Sequence, residues 1–178
     1  MEKRLAALLV LLLIAGMGLI GCGPSSEQVI REGLSASLDE FEDTHSRQWQ
    51  EMLESEGSSL ESVGINPQEL ADTWTEGFSY AIDSIEISGD VATAEITITC
   101  KQLSQAVSAA TDILTADSEA LTELTVTELE QMTGETILEE LRKSEPVTNT
   151  ITITCTKNGN TWSQDAGAGA AYSSAFVG

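Results

Sequence analysis

The sequence predicts an α+β domain, an antiparallel sheet of about four strands with helices packed on one face. Two observations carry that expectation. Apolar residues recur at helical spacing before residue 79 and again from Leu103 to Arg142. Each helical region is followed by a stretch in which apolar and polar residues alternate around a turn signal, Ser88-Gly89-Asp90 in one and Lys157-Asn158-Gly159-Asn160 in the other. Helices, a hairpin, helices and a second hairpin make an antiparallel sheet with its helices on one side.

The first helix is expected from Ser26, as N-cap, to about Thr44, with Ile30, Leu34, Leu38 and Phe41 on one face. A short second helix over Ser46 to Ser55 turns Trp49, Met52 and Leu53 inward, and Gly57-Ser58-Ser59 reads as loop. Asn66-Pro67-Gln68-Glu69 combines a capping Asn, a Pro at the first helical position and an early Glu, and opens a helix that ends near Gly77. The period then falls to two. Ala81 to Ile87 is a somewhat irregular strand, and Val91 to Cys100 is its partner.

Leu103, Val107, Ala110 and Leu114 form the next helical stripe. Thr125-Val126-Thr127-Glu128 reads as a capping box before a helix carrying Leu129, Met132, Leu138 and Leu141, which Pro146 ends. Val147 to Thr156 alternates as a strand, Asn158-Gly159 suits a tight hairpin turn, and Thr161 to Asp165 returns. The Ala/Gly-rich tail, residues 166–178, is expected to be loose, with Tyr172 and Phe176 spaced so that both would face a docking surface.

The segments TWTEGFSYAIDSIEISGDVATAEITITC and TNTITITCTKNGNTWSQD, with helices between them, resemble lipoproteins of the NTF2-like, cystatin-like class of the actinobacterial type. The resemblance lies in element order and texture and carries no diagnostic motif. It implies a curved sheet wrapped around a helix, leaving a cone that is either hollow or filled, and it transfers no function.

The N-terminus points to location. Lys3 and Arg4 precede an apolar run, and Leu19-Ile20-Gly21-Cys22 places small residues just before a cysteine. The arrangement resembles a bacterial lipoprotein signal. That resemblance implies cleavage after residue 21, a diacylglycerol on the Cys22 sulfur, and an extracytoplasmic domain anchored to the cell membrane. The alternative is a transmembrane anchor, for which the run is slightly short. The expected organisation is a signal at 1–21, a lipidated tether at 22–26, one α+β domain over 27–165 and the tail. A tether of about 4 residues spans roughly 14 Å at most, which keeps the domain close to the lipid.

The formal charge is −21, and removing Glu2, Lys3 and Arg4 with the signal leaves 28 acidic and 6 basic residues. Nucleic acid is excluded as a partner, because phosphate recognition needs clustered Lys and Arg. A solubilising surface explains the acidity, and attraction of a basic protein partner is the functional reading. The sole histidine, His45, is expected to face solvent between two helices; with it alone, neither a histidine-rich metal site nor a multi-histidine catalytic set can be built. No metal site, cofactor or catalytic residue is expected. The carboxylate pairs Glu119/Glu123 and Asp39/Asp43 read as parts of a solvated acidic face. Trp74, Phe78, Tyr80 and Trp162 are the ligand-pocket candidates, against the alternative that they are core.

The pentapeptide ITITC occurs at Ile96–Cys100 and again at Ile151–Cys155. Outside the cell, a Cys100–Cys155 disulfide is the expected state. Parity turns both sulfurs toward the core, yet the register is demanding. Aligning the two copies end to end in antiparallel strands separates the cysteines by about 13 Å, beyond the roughly 7 Å a bridge spans. Two functional readings remain: a non-catalytic module binding a small molecule in the cone, or an envelope accessory protein using an acidic helical face over Leu121–Arg142. An enzyme of the NTF2-like class is disfavoured by the missing acid/base set.

Overall fold

A computed structural model describes residues 25–116, 121 and 124–178. The signal, Cys22 and the start of the tether lie outside the described residues, as do Glu119 and Glu123. Among the described residues, six helices and four strands follow in order: α1 (Ser26–Glu42), α2 (Arg47–Glu61), α3 (Pro67–Thr75), β1 (Ser79–Ser88), β2 (Val91–Cys100), α4 (Leu103–Ala116), α5 (Val126–Lys143), β3 (Val147–Asn158), β4 (Thr161–Gln164) and α6 (Ala168–Phe176). The α+β class and the four-stranded antiparallel sheet are as the sequence predicts.

The helix starts follow local chemistry. Ser25, one residue before the predicted cap, accepts from the Gln28 N–H. Asn66 accepts from the Glu69 N–H with Pro67 behind it. Thr125 and Glu128 close the reciprocal capping box over α5. Helix α2 runs past Gly57-Ser58-Ser59, which the composition assigned to a loop. Leu60, on the next turn, is buried in the core, and that burial outweighs the roughly 1 kcal/mol helical penalty of one glycine.

The strands pair in the order β1-β2-β3-β4, each antiparallel to its neighbour. Strand β1 carries a bulge between Ile82 and Ser84, the irregularity expected there, and Gly159 takes a φ of 62° in the last turn. One face of the sheet presents Ala92, Ala94, Ile96, Ile98, Cys100, Ile151, Ile153 and Cys155, all buried. The opposite face is largely threonine, with Thr97 bonded to Thr150 and Thr99 to Thr148 across β2 and β3.

Helix α1 lies against β1 and brings Ile30, Leu34, Leu38 and Phe41, each fully buried, into the core. Phe41 is the hub. Its ring centroid lies 4.3 Å from Phe176, 5.0 Å from Phe78, 5.8 Å from Trp49 and 5.9 Å from Trp74. Phe176 belongs to α6, so the Ala/Gly tail expected to be loose is a core helix. Tyr172, Ala175 and Phe176 are wholly buried, and the Ser104 N–H donates to the Val177 carbonyl at 2.9 Å. The docking face suggested by Tyr172 and Phe176 is the one used. Among the described residues, no helix is long and apolar enough to cross a membrane.

Candidate functional site

The structure corrects the expected Cys100–Cys155 bridge. The β2–β3 ladder places Cys100 opposite Val147 and Cys155 opposite Ala92. Position 92 and position 100 are separated by about 26 Å of strand, far beyond the span of a disulfide. Both cysteines are free and buried. The repeat fixes which face each cysteine takes, but a slip of two residues preserves that face, so the pattern leaves the register open. Cys100 donates to the Ala175 carbonyl at 3.2 Å. Burial pushes its thiol up to about 12. Burial, helped by Asp165, pushes Cys155 up to about 11. Neither is a poised nucleophile, since the thiolate is the reactive form.

The aromatic candidates divide. Trp74 and Phe78 meet around Phe41, while Trp162 is buried at the β3–β4 hairpin, where the Lys157 ammonium lies 5.8 Å from its ring centroid. The Trp74 indole N–H is shared between the carbonyls of Lys101 at 3.1 Å and Phe176 at 3.3 Å. Half-buried Tyr80 donates to Asp39 at 2.6 Å. Burial, followed by that carboxylate, raises its phenol. These rings pack against protein, and Trp74 and Tyr80 spend their polar atoms on protein. Under α6, the Tyr172 hydroxyl and the Gln164 Oε1 are buried facing one another.

A groove of about 490 Å³ opens instead between α2 and α3, lined by Gln50, Leu53, Glu54, Glu61, Asn66 and Gln68 among others. Gln50 donates to Gln68 at 3.2 Å, and Gln68 donates to Asp72 at 2.9 Å, which stiffens one wall. The lining holds two carboxylates and no cation. Nothing in the sequence pattern marked this groove, because it forms between turns of two helices joined by the Gly64 loop.

A third feature is the α4–α5 pair. Residues 125–131 are all exposed. Val126 is 73% exposed, Leu129 36% and Ile113, on α4, 48%. Asp112, Glu128 and Glu130 accompany them on the same two helices. Part of the predicted acidic helical face is thus exposed, studded with apolar side chains, while Leu138 and Leu141 at the other end are buried.

His45 is exposed, as expected, with its backbone N–H donating to Asp43 at 3.2 Å. Among the described residues, no three of His, Cys, Asp and Glu converge to hold a metal ion. Lys101 is the one strongly buried cation among the described ion pairs; it donates to Glu76 at 2.7 Å and to the Arg142 carbonyl at 3.2 Å.

No protein-family model matches the chain, and no curated protein matches it. Among solved structures, a candidate lipoprotein of Bacillus subtilis, YcdA, is similar, with 18% identity and a TM-score of 0.45. The similarity covers 99% of this chain and 56% of the Bacillus protein, so the chain spans about half of that protein's length.

Proposed function

We propose that the protein is an extracytoplasmic, lipid-anchored, non-catalytic accessory protein that meets a basic protein partner through the exposed end of the α4–α5 pair. The anchor reading is supported by Leu19-Ile20-Gly21-Cys22 after a charged and apolar leader. The carrying observation for the interaction is the exposure of Ile113, Val126 and Leu129 together, set among acidic residues. Apolar anchors at the centre and charges at the rim are how protein interfaces divide affinity from steering. The filled aromatic core supports a surface reading over a hollow NTF2-like cone.

The anchor is tested by feeding an alkyne fatty acid: label on the protein should vanish in Cys22→Ala. The interaction is tested in cells with a photo-crosslinking residue at Val126. A discrete adduct that disappears in the Ile113→Asp/Leu129→Asp chain supports the reading. The same adduct from Ser163 on the sheet would defeat it.

The α2–α3 groove favours a second reading, capture of a small cationic ligand between Glu54 and Glu61. Spermidine titration followed by calorimetry tests it: heat should be lost in Glu54→Gln/Glu61→Gln, and no heat from the unaltered protein would end it.

A further inference from the structure

We propose that the free edge of β3, from Val147 to Ile153, is a strand-addition site for one extended peptide with a β-branched centre and basic ends. Strand β4 pairs only with Cys155–Asn158, and the Asp165 N–H makes the last bond, to the Thr154 carbonyl at 2.9 Å. Beyond that point the chain leaves the sheet, and α6 packs back against the core face of β2 and β3 without adding a strand to the edge. Among the described residues, no backbone hydrogen bond reaches the outer edge of 147–153.

The geometry says which groups are free. The Thr154 carbonyl points to the β4 side, and the Lys157 N–H points the other way, toward Asp90. Backbone groups of alternate residues point to alternate sides of a strand. Thr148, Thr150 and Thr152 therefore direct their N–H and C=O groups to the open edge, and all three residues are exposed. The stretch spans about 20 Å, long enough for five to seven ligand residues.

The two edges of the sheet differ in defence. Strand β1 has the bulge at Ile82/Ser84, the acids Asp83 and Glu86, and Arg31, which donates to the Ile82 carbonyl at 2.9 Å. Those are the devices that prevent edge pairing. From Val147 to Thr156, β3 has no charge and no proline, and its register with β2 is unbroken. An undefended edge of β-branched residues is a template for another strand. The Asn149 Nδ2, buried without an acceptor, lies on the same stretch. A formal charge of −21 disfavours a second copy as the occupant and favours a strand with lysine or arginine at its ends.

This site is separate from the α4–α5 surface and stands or falls independently of it. The test is amide hydrogen exchange on the full-length lipidated protein in detergent, with acetyl-Lys-Val-Thr-Val-Thr-Val-Lys-amide as probe. Saturating peptide should slow exchange at Thr148, Thr150 and Thr152 at least tenfold, leaving the already paired Ile151 and Ile153 little changed. The same peptide N-methylated at alternate amides should give no protection. Thr150→Pro should also abolish it, because that N–H faces away from β2 and its loss spares the ladder. Protection that survives N-methylation, or no protection at millimolar peptide, overturns the proposal. So does protection of the same amides on concentrating the protein without peptide, which would give the edge to a second copy. Crosslinking at Val126 should be unaffected throughout.

Discussion

Ile96 stands directly opposite Ile151 in the β2–β3 ladder, so the two ITITC segments meet at their first residues and diverge toward their cysteines. The two sulfurs meet α6 one turn apart. Cys100 bonds to Ala175, and Cys155 sits near Tyr172, whose phenol is raised by burial and then by that thiol. The thiols of Cys100 and Cys155 should therefore both be recovered without reductant. Iodoacetamide should leave both intact in the folded protein at pH 8 and modify both in urea, read as two carbamidomethyl additions by intact mass. A mass lacking both additions in urea would restore the disulfide.

Helix α6 depends on tertiary contacts more than on its own sequence. Gly167 offers no side-chain cap, and Ala168–Phe176 holds few large side chains. Replacing Trp74 with Phe keeps most of the ring but removes the donor shared by Lys101 and Phe176. The loss should be about 2 kcal/mol by urea denaturation, with faster exchange in the α6 amides. A change under about 0.5 kcal/mol would mean that neither carbonyl needs the indole.

The same helix shows where sequence reading stops. Thr125/Glu128, Asn66-Pro67 and Asn158-Gly159 were legible because each is a local device whose geometry needs no distant partner. Two aromatic residues in an Ala/Gly tail leave open whether they dock, since the surface that receives them is assembled from Phe41, Phe78 and Trp74, far away in sequence. The β2–β3 register was equally hidden, because the alternating pattern repeats every two residues. Trp74, Phe78 and Trp162 were legible as buried rings but not as rings with protein partners already in place. The β3 edge was not legible at all; it exists because β4 is four residues long and β3 is twelve.

Gly134 marks a contact that no propensity predicts. A Cβ there would lie 1.9 Å from the Val63 carbonyl oxygen and 2.9 Å from Ile65 Cγ1, where the loop after α2 crosses α5. Alanine is the better helix former by about 1 kcal/mol, so an isolated helix would gain from Gly134→Ala. In the folded protein the overlap should dominate and destabilise by about 3 kcal/mol. Thermal and urea unfolding would measure it, and a raised midpoint would contradict the crossing.

The Lys101–Glu76 pair gives stability a pH dependence of defined sign. The Lys101 side chain is 4% exposed and that of Glu76 70%. The hydrogen bond from Lys101, then its charge, holds the Glu76 carboxyl below its ordinary 4.5. A carboxyl depressed on folding contributes fully above its unfolded value and loses that contribution as pH falls through its folded one. Protonation leaves the buried ammonium with only the Arg142 carbonyl. Glu76→Gln should therefore lower the urea midpoint at pH 7, and the gap from the unaltered protein should close as pH falls from about 5 to about 3. Glu128 is lowered by bonds from Thr125, and Glu139 by Lys143. These give both proteins a common acid slope, which cancels in the difference. A gap that stays constant from pH 7 to pH 3 would show that Glu76 acts through packing and not through its charge.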